Sequence, residues 1–371
     1  MKGQGYASSF PIASADGQEI MLHSDLGSGL QQFSIWPVNG GVPRFHGVQM
    51  LAGFTANHAM PDSNVVLGSD GKSSIVAYSI LSGELLARFT LSGVQELNLA
   101  RLSPDGRFAL LHVVLDRPTD ATDDHNSAAY LVEVRTGRLM HTFLPRKTAD
   151  KKSVFDVDVC AFAFSADSKH IALGWIGGSA EVWSIEGPRL IKRLDVAEDQ
   201  TTTLTFTADN KHLIGGSRDA GIFVWSLESG KLLRTLERTS VAGHVSTGSV
   251  GISIDSKLVA AGPRQRTTSS ADVGSERRVQ VWDLATGKPK FLLSGHEANV
   301  NALTFTADGR WLVSASNDGT IRYWDQRKGA LGATFAAAPG NRWVIVTDNG
   351  FFAASTSAGD HLSVERGYEA T

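Results

Sequence analysis

Cysteine is nearly missing: Cys160 stands alone among 371 residues. That excludes an intrachain disulfide framework and a multi-cysteine metal site. No apolar run approaches the roughly 20 residues that span a bilayer, and Met1 to Phe10 lacks the apolar centre of a secretory signal. A basic excess is missing too. Lys+Arg 35 against Asp+Glu 38 leaves a net charge of -3, which argues against a general nucleic-acid or membrane-surface binder. A reducing, cytoplasmic location is the expectation. With 42% hydrophobic and only 20% charged residues, the chain is too apolar for disorder. Its 38 glycines show no collagen period and point to many tight turns.

A repeat organises the chain. In its clearest copy, Val300-Asn301-Ala302-Leu303-Thr304-Phe305 alternates as a strand does, and Ala307-Asp308-Gly309-Arg310 is a turn. Trp311 to Ser316 is a second strand, and Asn317-Asp318-Gly319 is a strong hairpin signal. Thr320 to Trp324 is a third strand, and a fourth ends at Phe335. The third-strand landmark recurs at Trp36, Tyr78, Val132, Trp183, Trp225, Trp282 and Trp324, at intervals of 42, 54, 51, 42, 57 and 42 residues. The first turn recurs as Ala15-Asp16-Gly17, Pro61-Asp62-Ser63, Pro104-Asp105-Gly106, Ala166-Asp167-Ser168 and Ala208-Asp209-Asn210. The turn after the landmark recurs as Ser82-Gly83, Thr136-Gly137, Ser229-Gly230 and Thr286-Gly287. Such spacing predicts an all-β, seven-bladed β-propeller of four-stranded antiparallel blades over residues 1–335. Residues 336–371 are expected to form a C-terminal linker and β-hairpin extension. Blade one can start at Ser8 and blade seven end at Phe335, or a strand from residues 1–8 can pair with the last blade.

Gly295-His296 followed by Trp324-Asp325 resembles the WD-repeat (WD40) family. The resemblance implies a hydrogen-bonded tetrad, which falls here on His296, Ser314, Asp318 and Trp324. A buried indole N–H and a buried carboxylate both need partners, which agrees with that reading. Blade six keeps Gly243-His244 and Trp282-Asp283 with an insertion between; the other blades depart further and are expected to rely on apolar packing. The resemblance also places second-to-third-strand loops and fourth-to-first connections on one face, the top.

The extra residues sort to that face: Leu115 to Ser127, Pro145 to Ser153, Glu237 to Ser246 and Pro263 to Glu276. Asp116, Asp120, Asp123 and Asp124 make one loop acidic. Arg146, Lys147, Lys151 and Lys152 make the next connection basic, as do Arg264, Arg266, Arg277 and Arg278 in blade six. This pattern suits a rim that docks a protein carrying both signs. Loops of this kind also persist without a role, because doubling a loop costs only about 0.6 kcal/mol, and the two signs can pair with each other.

No catalytic constellation emerges. Cys160 lies in a first-strand segment and reads as a small core residue rather than a nucleophile. The His residues lack metal-ligand spacing, Asp123-Asp124-His125 reads as a solvated turn, and Asp156 and Asp158 have no partner in sequence. No cofactor or metal is expected. In the tail, Ala336 to Gly340 reads as a linker. Trp343, Val344, Thr347, Gly350, Phe351, Phe352, Ala354 and Ser355, with Val364, Arg366 and Gly367 beyond, are similar to a stretch in bacterial WD40 proteins associated with caspase-like peptidase domains. A third tail strand is expected at His361 to Gly367. The expected function is a non-catalytic protein-interaction or scaffold module with a protein partner, which the tail extends to a caspase-like domain or subunit. The alternatives are a propeller enzyme or small-ligand binder with a channel site, and a structural spacer.

Overall fold

The structure is a computed structural model. It describes strands at 12–13, 19–25, 31–37, 45–46 and 55–60. Beyond these it describes residues 65–354, apart from 70–72, 80–81, 83, 117–126, 145–158, 177, 195–200, 218–220, 238–245, 265–276, 307 and 339–341.

The described strands form seven antiparallel sheets. Blade one holds β1 (Ile12–Ala13), β2 (Glu19–Asp25), β3 (Gln31–Pro37) and β4 (Phe45–His46). Blade two holds β5 (Thr55–Met60), β6 (Val65–Ser69), β7 (Ser74–Ser79) and β8 (Leu85–Thr90). Blade three holds β9 (Val94–Leu102), β10 (Phe108–Leu115), β11 (Ser127–Glu133) and β12 (Arg138–Phe143). Blade four holds β13 (Val159–Phe164), β14 (His170–Trp175), β15 (Ala180–Ser184) and β16 (Arg189–Leu194). Blade five holds β17 (Thr201–Phe206), β18 (His212–Ser217), β19 (Ile222–Ser226) and β20 (Leu232–Leu236). Blade six holds β21 (Ser246–Ile252), β22 (Leu258–Arg264), β23 (Val279–Asp283) and β24 (Pro289–Leu293). Blade seven holds β25 (Val300–Phe305), β26 (Trp311–Ser316), β27 (Thr320–Asp325) and β28 (Ala330–Ala338), to which β29 (Arg342–Thr347) and β30 (Phe352–Ala354) add. All seven landmarks fall on third strands.

The core lies between blades, because each short sheet must bury both faces. One apolar cluster joins blades two and three through Leu67, Leu111 and Tyr130. Another joins blades four and five through Ala172, Phe206 and Trp225. Trp282 faces blade five and Trp324 faces blade six. From blade two to blade seven first strands meet their successors, and β1 touches β25, joining the first blade to the last.

Polar rungs tie the same strands. At or beside a bulge in the first strands of blades four, five and six, one side chain donates to a carbonyl of the next blade: Cys160 Sγ to Thr201 O at 2.6 Å, Thr202 Oγ1 to Thr247 O at 2.7 Å, and Ser249 Oγ to Val300 O at 3.2 Å. Cys160 thus does the work a threonine does one blade on.

The repeating first turn has a physical cause. Ser103, Ser165, Thr207, Ser253 and Thr306 each donate a hydroxyl to the Asp two residues later, at 2.5–2.7 Å. Burial pushes the Asp167, Asp209, Asp255 and Asp308 carboxyls up, but the hydroxyl, a backbone amide and neighbouring positive charge together outweigh it and hold them below the ordinary value. A group depressed in the folded state stabilises above its unfolded value, and that contribution is lost as pH falls through the folded one. The contribution of these carboxylates to the urea midpoint is therefore expected to stay flat down to about pH 5 and to be lost below about pH 4. A midpoint unchanged on acidification to about pH 3 would contradict this.

One feature differs from expectation. The fourth strand of blade seven runs to Ala338 rather than Phe335, so Ala336 to Ala338 are strand, not linker: Ala336 pairs with Thr320 on one side and Val344 on the other. The tail hairpin then extends the same sheet to six strands. Each sheet is continuous in sequence, and no described N-terminal strand joins the last blade. Residues 1–11 and 355–371, with the start at Ser8 and the third tail strand, lie outside the described residues.

Candidate functional site

The strand ends define two rims. From blade two onward, the bottom segments, between first and second and between third and fourth strands, are four or five residues long. The long segments, 116–126, 144–158, 237–245 and 265–278, all leave the opposite ends of strands. That opposite rim is the candidate docking face.

The tetrad residues fix the rim at blade seven. His296, in the connection from β24 to β25, meets Asp318, in the turn from β26 to β27: Nδ1 lies 2.8 Å from Asp318 Oδ2. His296 Nε2 lies 2.7 Å from Ser314 Oγ, and Trp324 Nε1 donates to that same oxygen at 2.8 Å. One proton order satisfies the chain: indole N–H to the serine oxygen, serine O–H to Nε2, and Nδ1–H to the carboxylate. Asp318 also accepts the Thr320 hydroxyl at 2.6 Å and the Glu297 amide at 2.9 Å. Burial pushes its carboxyl up, but the His296 N–H and charge, the Thr320 hydroxyl and the Glu297 amide hold it well below the ordinary range. Thr320 and the Glu297 amide carry no motif signal and were not expected.

Among the described residues the tryptophans of blades four, five and six lack this chain, and the register explains why. Ser314 pairs with Arg322 two positions from the Trp324 pair; the matching residues are Leu173, Gly215 and Ala261, none with a hydroxyl. Trp183 Nε1 instead donates to Glu181 Oε2 at 3.1 Å, with the buried Glu181 side chain held by Arg193 Nη2 at 2.8 Å. Trp282 Nε1 donates to Glu237 O at 3.2 Å. Trp225 Nε1 is buried with no partner among the described residues. An orphaned donor already carries its desolvation penalty. Trp324→Phe is therefore expected to cost about 1–2 kcal/mol more than Trp225→Phe, measured by urea unfolding. Equal costs would contradict the assignment.

Of the charged rim residues, Asp116 follows β10 and is exposed, its amide bonded to Gly93 O at 3.0 Å. Arg264 ends β22, Arg277 is exposed and Arg278 half-buried ahead of β23. Asp120, Asp123, Asp124, Arg146, Lys147, Lys151, Lys152 and Arg266 lie outside the described residues, as do Asp156, Asp158 and His244. Among the described residues no three His, Cys, Asp or Glu side chains converge as metal ligands do, and no helix is long and apolar enough to cross a membrane.

This architecture is a β-propeller, and its best-formed blade carries the WD signature. The family model described as "WD domain, G-beta repeat" matches residues 287–325, so the chain contains a WD40 repeat. The human WD repeat-containing protein 36 is 41% identical over 88 residues, 23% of this chain and 10% of that protein. The target of rapamycin complex subunit LST8 of Saccharomyces cerevisiae is 36% identical over 77 residues, 20% of this chain and 25% of that protein. The matched stretches thus span a tenth to a quarter of these relatives. Among solved structures, the Cps50 (Swd1) β-propeller domain of Myceliophteria thermophila superposes with a TM-score of 0.60 at 15% identity, covering 87% of this chain and 99% of that domain. That likeness concerns the fold alone.

Proposed function

We propose that the chain is a non-catalytic protein-docking module that engages a partner through its top rim. One observation carries this reading: the long, charged segments leave one rim only, while from blade two onward the other rim keeps segments of four or five residues. A stiff ring with variable loops on one side is suited to recognition. A relative named as a complex subunit supports it. The acidic and basic runs favour a partner surface of both signs. We also propose a cytoplasmic, bacterial setting in which the partner is a caspase-like effector; support comes from the tail residues Trp343, Val344, Thr347, Gly350, Phe351, Phe352 and Ala354.

Pulldown with the full chain tests the rim. Reversing Arg264, Arg266, Arg277 and Arg278 to Glu is expected to abolish partner recovery while circular dichroism stays unchanged. Undiminished recovery would contradict the role given to that segment. Metal analysis of the purified protein addresses the channel alternative: a stoichiometric divalent ion would favour it.

A further inference from the structure

On the bottom rim, between blades four and five, the outer strands part around a cleft of about 420 Å³, within the size range of ligand sites. Its apolar lining is Val182, Phe206 and Leu227, with Ile191 exposed at the edge. Lys192 and Lys211 stand on its walls against a single acid, Glu228. Among the described residues, no carboxylate lies within ion-pair distance of either lysine. Lys192 Nζ donates to Glu228 O, which holds that ammonium in place across the two blades. His212 also lines the cleft, and its Nδ1 is buried without a hydrogen-bond partner among the described residues. The flanking outer strands add cations: β16 reads Arg-Leu-Ile-Lys-Arg-Leu and β20 Leu-Leu-Arg-Thr-Leu, with Arg193 paired to Glu181 and Arg234 bonded to Ala285 O. Leu190, Leu232 and Leu233 are exposed on them.

An apolar slot walled by two lysines, neither with a carboxylate at ion-pair distance among the described residues although the Asp209 carboxylate lies in the field of Lys211, and flanked by basic, apolar strands discriminates by charge and by one side chain. We propose that this cleft is a second docking site, which takes an acidic peptide segment presenting one aromatic or branched apolar side chain. The anchor side chain seats on Phe206 and Leu227, and the flanking carboxylates face Lys192 and Lys211. The site lies on the rim opposite the loops and stands independently of the top-rim reading.

Fluorescence polarisation with the full chain tests it. The probes are a labelled acetylated peptide of alternating Asp and Gly with a central Phe, the same peptide with Ser at the centre, and its Lys counterpart. The acidic Phe peptide is expected to bind, to weaken as salt rises, and to lose about tenfold in affinity with the central Ser. Lys211→Glu, at an exposed side chain, and Ile191→Glu are each expected to weaken it about tenfold, and Arg277→Glu to leave it unchanged. Equal binding of the Lys peptide would overturn the site, as would affinity indifferent to both cleft variants. So would competition by free 3-phenylpropionate as strong as by the peptide, since that makes the cleft a small-acid pocket. Loss on Arg277→Glu with Lys211→Glu silent would overturn the cleft while favouring the top rim. Loss on Lys211→Glu alone supports the cleft whatever the pulldown shows.

Discussion

Gly329→Ala is expected to destabilise the chain by about 3 kcal/mol, against about 1 kcal/mol for Gly309→Ala. Both glycines have φ +65°, the left-handed region that penalises any Cβ. They differ in surroundings. A Cβ on Gly309 would meet nothing within 4 Å, whereas one on Gly329 would fall inside the Phe291 ring of blade six. Gly137, in blade three, repeats the arrangement: its Cβ would lie 2.5 Å from Phe89 Cβ of blade two. A polar version holds at the junctions of blades four with five and five with six, where Lys192 reaches Glu228 O and Arg234 reaches Ala285 O, beside Gly230 and Gly287. In blades three, five, six and seven the glycine after the landmark strand thus lets the outer strand of the preceding blade close on it, whereas a Cβ on Gly187 of blade four would meet nothing within 4 Å. Urea unfolding of the two variants checks this. Equal costs would reduce the motif to backbone conformation alone.

Asp318→Ala is expected to cost about 3 kcal/mol. Its carboxylate accepts from the His296 ring, the Thr320 hydroxyl, and the amides of Glu297 and Thr320. Removing it leaves these donors unpaired in a buried place, which costs more than the net value of the bonds. His296→Ala should cost much the same, and the double variant little more than either single one, because the groups form one network. Additive losses in that cycle, read from unfolding midpoints, would show that the residues act separately.

Much of this was legible in the sequence. The seven third strands could be placed because a large aromatic or aliphatic residue recurs between turn signals whose chemistry is local. The Ser/Thr-x-Asp turns bond within themselves, so each copy keeps its signature. The tetrad was readable only where Gly-His and Trp-Asp both survive. The tail was misjudged at Ala336 to Ala338, since three alanines carry no β preference; pairing on both sides makes them strand. Glu181 as the partner of Trp183 was missed because two positions along a strand share a face without leaving any spacing signal. Contacts between blades, such as Lys192 to Glu228 O and the cleft beneath it, join residues 36 positions apart, and no local pattern marks them.

Hydrogen exchange of the full chain, alone and saturated with the partner recovered by pulldown, tests the docking reading most directly. Slowed exchange is predicted in segments 116–126, 144–158 and 265–278, which leave the top rim. Protection confined to the channel-facing first strands, with those three segments unchanged, would contradict it.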